Sequence, residues 1–218
     1  MLDALGPIVA LSLYVSGLAL AIATAIGLPL GALLALRPIP GKRLVELLLY
    51  TGMGLPPVVV GLAVYLLLSR SGPLGGLGWL FTPPAMIMAQ VIIALPLVAG
   101  LTMTAIEGLD PGLRLQLRSL GASPRQVMWT LLGEARGGVL AAIVAAFGGI
   151  LSEVGAVMLV GGNLEGQTRV LTTAIVLETR KGDFTLALAL GGVLLTLAFV
   201  SNAALLRLSG KVRHIRAD

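Results

Sequence analysis

The sequence DPGLRLQLRSLGASPRQVMWTLLGE, residues 110–134, forms most of a polar insert that separates two long apolar runs. Asp110 and Pro111 suit the N-cap and the first position of a helix. Aspartate accepts a hydrogen bond from a free backbone N–H there, and proline at the first position needs no N–H. A short helix is therefore predicted to begin at this pair and to run to Leu120. The whole insert extends over residues 107–137.

The second half of the insert contains a turn and another helix start. Gly121 suits the left-handed conformation that ends many helices. Ser123, Pro124 and Gln126 fit a capping box with proline at the first helical position, which predicts a second helix towards Ala135. The resulting hairpin has too many apolar side chains for a solvated loop, so we expect it to dock on its own bundle or on a partner. These side chains are Leu115, Leu117, Leu120, Val127, Met128, Trp129, Leu131 and Leu132.

The composition of the chain is that of a membrane protein. Hydrophobic residues make up 57% of the 218 and charged residues 11%, against roughly a quarter charged in soluble domains. Mean hydropathy is +1.00, and only lipid leaves so much apolar surface exposed without penalty. The net charge of +5 does not indicate nucleic-acid binding, because the basic residues lie between apolar runs and only 4 Phe, 3 Tyr and 2 Trp are present to stack on bases.

Five apolar segments reach the length of about 20 residues that a membrane-spanning helix needs. They are residues 8–36, 47–68, 83–106, 139–160 and 184–206. The first is too long for a cleaved signal peptide, and no basic residue precedes it. We therefore expect an all-α membrane protein with five transmembrane helices, in which residues 1–218 form one transmembrane domain.

An odd number of spans places the two ends of the chain on opposite sides of the membrane. With the N-terminus outside, most basic residues face the cytoplasm, so the positive-inside rule predicts this orientation in a cell membrane, with the insert and the C-terminus inside. The eleven cytoplasmic residues are then Arg37, Lys42, Arg43, Arg114, Arg118, Arg125, Arg136, Arg207, Lys211, Arg213 and Arg216, and the four outer ones are Arg70, Arg169, Arg180 and Lys181.

The second apolar run contains a break in its middle. Pro56 and Pro57 remove two backbone donors and disfavour helical geometry just before them, and Gly61 follows. Carbonyl groups freed in this way need partners in lipid, so the stretch should face protein or a water-filled cavity. Broken helices are frequent in transporters, so we expect a translocation pathway here, with plain structural kinking as the alternative.

Glu153 is the only charged residue within the fourth apolar run. It follows Ala145 and Gly149 at a spacing of four residues, which predicts that it looks into the helix bundle. A carboxylate repels an oxyanion, so it suits a closed gate better than a binding site. The alternative is structural: Glu153 caps a helix or pairs with another one, with Ser152 or Asn163 nearby.

The outer connection, residues 161–183, carries basic and acidic residues side by side. The basic ones are Arg169, Arg180 and Lys181, and the acidic ones are Glu165, Glu178 and Asp183. The basic groups either attract an anion or a docking protein by electrostatic steering, or they pair with these neighbours. Residues 172–177 are too few to span the membrane and predict a short re-entrant or interfacial helix.

No catalytic or metal-binding set can be assembled from the sequence. The chain has no cysteine, and its single histidine, His214, lies in a basic tail. A phosphate-binding G-x-x-x-x-G-K-[ST] loop is absent, since Gly210-Lys211 lacks both the upstream glycine and the hydroxyl residue. We therefore expect no ATP hydrolysis, cofactor or metal on this chain.

The run Leu120 to Pro124, LGASP, followed by Gln126 and Trp129, resembles the cytoplasmic signature loop of binding-protein-dependent ABC importer permeases. The match is incomplete. LQL at residues 115–117 stands where that family has Glu-Ala-Ala, and Gly-Glu at residues 133–134 stands where it has Leu-Pro. In the family this loop supplies the coupling helix that enters a groove of the ATPase subunit.

Two further stretches extend the resemblance over residues 28–206. GLPPVVVGL at residues 54–62 resembles the broken second span of molybdate-type permeases. SEVGAVMLVGGN at residues 152–163, together with residues 169–178, is most similar to tungstate permeases. The chain is thus identified as similar to the oxyanion permeases of this class.

The resemblance implies a type I importer fold in which two permease copies form the pathway. Two ATPase subunits, which carry ATP and Mg, bind below, and a periplasmic or lipid-anchored binding protein delivers the anion. Tungstate is the expected substrate, with molybdate or sulfate as alternatives. The implied coupling residues are Gly121, Ala122, Ser123, Pro124, Arg125, Gln126, Met128 and Trp129. The residues expected along the pathway or its gate are Pro56, Pro57, Gly61, Glu153, Gly155 and Asn163.

Two other classes of function are alternatives to the permease. A self-sufficient secondary transporter or channel requires paired ionisable groups inside the membrane, and this chain offers Glu153 alone. A membrane scaffold without transport gives no reason for the proline break or for the capped hairpin. Co-purification with a soluble ATPase that carries a phosphate-binding loop separates these classes.

Overall fold

The structure is a computed structural model that describes residues 2–38 and 40–214. In this part of the chain all regular structure is helical, which confirms the predicted all-α class. A short 3₁₀ turn, Gly75–Leu77, lies between the third and fourth helices. Arg216, one of the predicted cytoplasmic cations, lies outside the described residues. The α-helices are α1 (Leu2–Leu36), α2 (Lys42–Met53), α3 (Pro57–Leu68), α4 (Pro83–Glu107), α5 (Pro111–Ser119), α6 (Pro124–Glu134), α7 (Arg136–Leu151), α8 (Gly155–Gly161), α9 (Leu171–Lys181) and α10 (Phe184–His214).

Three helices, α1, α4 and α10, are long and apolar enough to cross a membrane alone. Two bent helix pairs, α2 with α3 and α6 with α7, raise the number of possible crossings to 5. The predicted span 83–106 matches α4 closely, whereas α1 and α10 extend beyond the predicted 8–36 and 184–206. Five crossings are therefore obtained only if broken helices are counted as spans.

The second predicted span, 47–68, is broken at its prolines as expected. Helices α2 and α3 meet at 103°. Gly54 N–H donates to the Thr51 carbonyl (3.1 Å) and Leu55 N–H to the Gly52 carbonyl (3.3 Å), so the turn uses carbonyl groups that the interrupted helix leaves open. The break thus costs few unsatisfied backbone groups.

The fourth predicted span, 139–160, is wrong as a continuous helix. Helix α7 begins at Arg136 and ends at Leu151, and α8 begins only at Gly155. The hydroxyl of Ser152 donates back to the carbonyl groups of Gly148 (2.8 Å) and Gly149 (3.2 Å), which is a local alternative to continuing the helix. Glycines on both sides of this point lower the helix propensity further.

The buried face of α7 also differs from the predicted one. Ala145 and Gly149 are exposed in the single chain, whereas Ala142, Ala146 and Ile150 are fully buried. The reason is that the buried face combines small residues with the large Ile150, which fills space against α4. The small-residue stripe on α7 therefore faces out of this chain.

Helix α4 lies at the centre of the fold and packs against α1, α2, α3, α7 and α8. Its closest neighbour is α1, whose Ala19 and Ala23 are completely buried. A Cβ atom added at Gly27 would lie 2.9 Å from Val98 Cγ1 of α4, so this approach requires glycine. Small residues of α1 thus allow α1 and α4 to pack closely.

Candidate translocation and coupling sites

The two helix breaks lie side by side. Pro56 has an extended backbone (φ −60°, ψ 122°) immediately before α3. A Cβ atom on Gly61 would lie 2.6 Å from Ala156 Cα, and one on Gly155 would lie 2.5 Å from Val58 Cγ2. The N-terminal halves of α3 and α8 are therefore in direct contact. The structure thus brings together the predicted residues of the break at Pro56 and of the break at Glu153.

Glu153 lies in the connection between α7 and α8 and caps the second of these helices. Its Oε1 accepts a hydrogen bond from Ala156 N–H (2.9 Å), and its carbonyl accepts one from Thr172 Oγ1 (2.8 Å). The hydrogen bond that the capping alternative expects is therefore present. The predicted shared face with Gly149 is wrong, because no continuous helix joins the two residues.

A small polar chamber of about 10 Å³ lies next to Glu153 and is lined by side chains from four further elements. Gln90 of α4 is 3% exposed, and its Nε2 donates to the Ile150 carbonyl (3.0 Å) at the end of α7. Ser12 of α1 accepts from Leu171 N–H (2.8 Å) at the start of α9. Sequence reasoning missed these residues. A single amide within the apolar run 83–106 is the signal that points to Gln90.

Asn163 lies at the opposite end of α8 from Glu153. It has a left-handed backbone (φ 54°) and follows Gly162, which ends α8 with φ 71°. With Arg169 and Arg180 it lines a cavity of about 300 Å³ between α8 and α9. Asn163 therefore does not join the other predicted pathway residues at the breaks.

The basic residues of the outer connection are largely paired. Arg169 lies 3.3 Å from Glu165, and Lys181 lies 2.8 Å from Glu178, so the pairing alternative is confirmed for both. Arg180 has no ion pair with any described residue. The predicted short helix at 172–177 is found within α9, whose first turn is buried.

The hairpin α5–α6 has the caps that its sequence predicts. Asp110 accepts from Gly112 N–H (2.8 Å). Gly121 has φ 81°. Its N–H donates to the Arg118 carbonyl, and Ala122 N–H donates to the Leu117 carbonyl (both 3.0 Å), which is the bonding pattern of a Schellman motif. The capping box forms as well: Ser123 N–H donates to Gln126 Oε1 (2.8 Å), and Gln126 N–H donates to Ser123 Oγ (3.4 Å).

The hairpin has a buried face and an exposed one. Val127, Leu131 and Leu132 are buried against Ile106 and other residues of α1, α4 and α7. On the opposite side three large apolar side chains are exposed: Leu115 by 66%, Leu120 by 84% and Trp129 by 57%. Six of the predicted coupling residues are also exposed, whereas Ala122 and Met128 are half-buried against the bundle. The exposed six are Gly121, Ser123, Pro124, Arg125, Gln126 and Trp129.

A hydrogen bond fixes the hairpin to the end of α1. Arg114 of α5 donates through Nη2 to the carbonyl of Leu36, the last residue of α1. A cation at this position satisfies an open carbonyl and interacts favourably with the helix dipole. No local pattern of residues indicates this contact, because the two residues are 78 positions apart. Within the described residues no group of three or more His, Cys, Asp or Glu side chains is placed to hold a metal ion.

The described fold is an apolar helix bundle with two adjacent helix breaks and a capped hairpin at one end. The fold is that of a subunit in the solved inward-facing MetNI methionine ABC transporter, with a TM-score of 0.77 at 21% identity over 97% of both chains. Residues 27–214 match the family described as binding-protein-dependent transport system inner membrane component. The chain belongs to this family and is a transport subunit with the type I importer permease fold.

Three curated relatives are similar over most of their length. A Haloferax volcanii protein described as a probable anion ABC transporter permease is 44% identical over 201 residues, which cover 90% of this chain and 87% of the relative. The tungstate uptake system permease TupB of Peptoclostridium acidaminophilum is 42% identical over 198 residues (91% and 87%). The molybdenum transport permease ModB of Escherichia coli strain K12 is 31% identical over 185 residues (80% and 81%).

Proposed function

We propose that this chain is the permease subunit of an ATP-driven tungstate importer. The observation that carries the choice of anion is its identity of 42% with a tungstate permease, against 31% with a molybdenum permease. In this proposal the chain forms the translocation pathway as a single domain, residues 1–218. ATP and Mg bind to a separate ATPase subunit, and a periplasmic or lipid-anchored binding protein delivers the anion.

The paired helix breaks support the pathway. Gly61 and Gly155 allow α3 and α8 to touch at the points where both helices begin. In our proposal a change in the angle of one broken helix moves the other, because no side chain separates the two helices at these glycines. Pro56, Pro57, Glu153 and Gly155 line this part of the pathway in our proposal, and Asn163 lies nearer its outer mouth.

The exposed face of the hairpin supports the coupling role. Leu120 and Trp129 together present an apolar surface at the end of the bundle, and such surfaces mark protein contacts. The caps at Asp110 and Ser123 hold both short helices in fixed positions. In this proposal an apolar groove of the ATPase receives these side chains, and Arg125 provides a charged contact beside them.

A homodimer of permease subunits is supported by the exposed stripe on α7. Ala141, Ala145 and Gly149 recur every fourth residue and are exposed in the single chain, and helices associate in lipid through such small residues.

Replacing Ala145 with Leu is therefore expected to separate the two permease copies. The matched control is Ala189→Leu, the same change at an exposed position of α10. Native mass spectrometry in detergent measures the ratio of dimer to monomer. A dimer that tolerates Ala145→Leu as well as Ala189→Leu contradicts this interface.

The function is tested by reconstituting the chain with its ATPase and its binding protein in vesicles. We expect tungstate to stimulate ATP hydrolysis and uptake at lower concentrations than molybdate or sulfate. A preference for either of the other anions overturns the assignment of tungstate and leaves the permease class intact. Uptake that proceeds without ATP indicates a self-sufficient secondary transporter instead.

A further inference from the structure

A cavity of about 210 Å³ lies between the end of α1 and the hairpin. Four of its lining residues are arginines, and no acidic residue lines it. The remaining lining residues are apolar ones from α1 and the hairpin, including Leu33 and Leu36. The arginines are Arg37, Arg114, Arg118 and Arg125.

The positive charge of this cavity is not neutralised by the described residues. Among the described residues the basic partners in ion pairs are Lys42, Arg169 and Lys181. None of the four arginines of the cavity forms an ion pair with a described residue. Arg114 Nε is buried without a hydrogen-bond partner, although Nη2 of the same side chain donates to Leu36. Like charges held this close repel one another, and a bound anion relieves that repulsion.

We propose that the cavity binds the phosphate group of an anionic membrane lipid; the inference rests on the contact between hairpin and ATPase in the proposed function, which puts the hairpin on the cytoplasmic side. Guanidinium groups bind phosphate oxygens in pairs of parallel hydrogen bonds. The cavity lies at the end of α1, where the apolar segment stops. Basic pockets on the cytoplasmic side of membrane helices bind lipid head groups. Leu33 is 36% exposed at the same place and provides a surface for the acyl chains, which a free anion does not need.

The bound phosphate also has a structural consequence for the hairpin. Arg37 follows α1, whereas Arg118 and Arg125 lie on α5 and α6. An anion between them connects the end of a membrane-spanning helix to both short helices of the hairpin. The lipid phosphate therefore connects the hairpin to the end of α1.

The test compares Arg37→Gln/Arg118→Gln with the control Arg43→Gln/Arg136→Gln. Both pairs remove two charges from the same side of the protein, but the control pair lies outside the cavity. Purified permease, without ATPase, is placed in nanodiscs of phosphatidylcholine with increasing phosphatidylglycerol, and native mass spectrometry counts the lipid molecules that remain bound. We expect the cavity variant to bind phosphatidylglycerol at least about tenfold more weakly than wild type, and the control to bind it nearly as well.

Three results overturn the proposal. Equal retention of phosphatidylglycerol by both variants shows that the cavity is not the lipid site. Stabilisation of wild type by inorganic phosphate or tungstate in pure phosphatidylcholine, without retention of phosphatidylglycerol, assigns the cavity to a free anion. Loss of ATPase association by the cavity variant in a separate co-purification, with unchanged lipid retention, assigns the arginines to the ATPase. Because lipid binding is measured without transport, failure of tungstate uptake does not affect this result.

Discussion

Gly121 is the residue on which the geometry of the hairpin α5–α6 depends most directly. Its φ of 81° is in the left-handed region, which costs a residue with a Cβ atom roughly 1–2 kcal/mol. A Cβ atom at this position meets no other atom within 4 Å, so strain of the backbone is the only internal effect of a substitution. This cost is small for a protein that is held by several membrane helices.

Gly121→Val is therefore expected to insert and to accumulate at normal levels but to bind the ATPase weakly. The strained turn reorients α6, and the branched side chain stands where the partner approaches. Co-purification of the ATPase and tungstate-stimulated ATP hydrolysis in vesicles measure the effect. Gly133→Val is the matched control, because Gly133 is exposed within α6 and has equally open surroundings. Normal coupling in Gly121→Val shows that the hairpin does not transmit the signal.

Glu153→Gln distinguishes a cap from an electrostatic gate. Glutamine keeps a side-chain oxygen that can accept from Ala156 N–H, as Glu153 does at 2.9 Å. We expect folding and uptake to survive this change, whereas Glu153→Ala loses the cap, which costs about 1 kcal/mol. Thermal unfolding and uptake are measured for both variants. ATP hydrolysis by Glu153→Gln in the absence of the binding protein reveals a gate held by charge and contradicts the purely structural role.

At the scale of elements, the bend of 103° between α2 and α3 is expected to be necessary for transport. Pro56→Ala/Pro57→Ala restores two backbone donors and allows a straighter helix. The protein should still insert, because its apolarity is unchanged, but uptake should fall. Pro83→Ala/Pro84→Ala is the control, since these prolines begin α4, where their missing N–H groups are not needed. Normal uptake in the first variant shows that the break is only structural.

Local chemistry explains which elements were predictable. The break at Pro56, the caps at Asp110 and Ser123 and the turn at Gly121 each follow from residues close together in the chain, and all were predicted correctly. The break at residues 152–154 was not predicted, because Glu153 follows Gly149 at the four-residue spacing of a continuous helix. The interruption depends on tertiary partners that hold its backbone, such as Thr172 on the carbonyl of Glu153. The contact of Gly61 with Ala156 was not predicted either, because it also joins residues that are far apart in the chain.

At the scale of the whole molecule, the proposed orientation places the N-terminus outside. Because the chain has no native cysteine, single cysteines report their own position. We expect cysteines at Ser71 and Gln167 to react with a membrane-impermeant maleimide in intact cells, and cysteines at Gln116 and Ser119 to react only after the membrane is opened. All four positions are exposed. Labelling of Ser119→Cys from outside reverses the orientation and removes the hairpin from the ATPase.

The bond from Arg114 to the Leu36 carbonyl also constrains how the protein is made. The two residues are separated by 78 positions, so α1, α2, α3 and α4 are all synthesised before the contact can form. Until then the last carbonyl of α1 is left to water at the membrane surface. The hairpin can therefore bind to the end of α1 only after the first four helices have been synthesised.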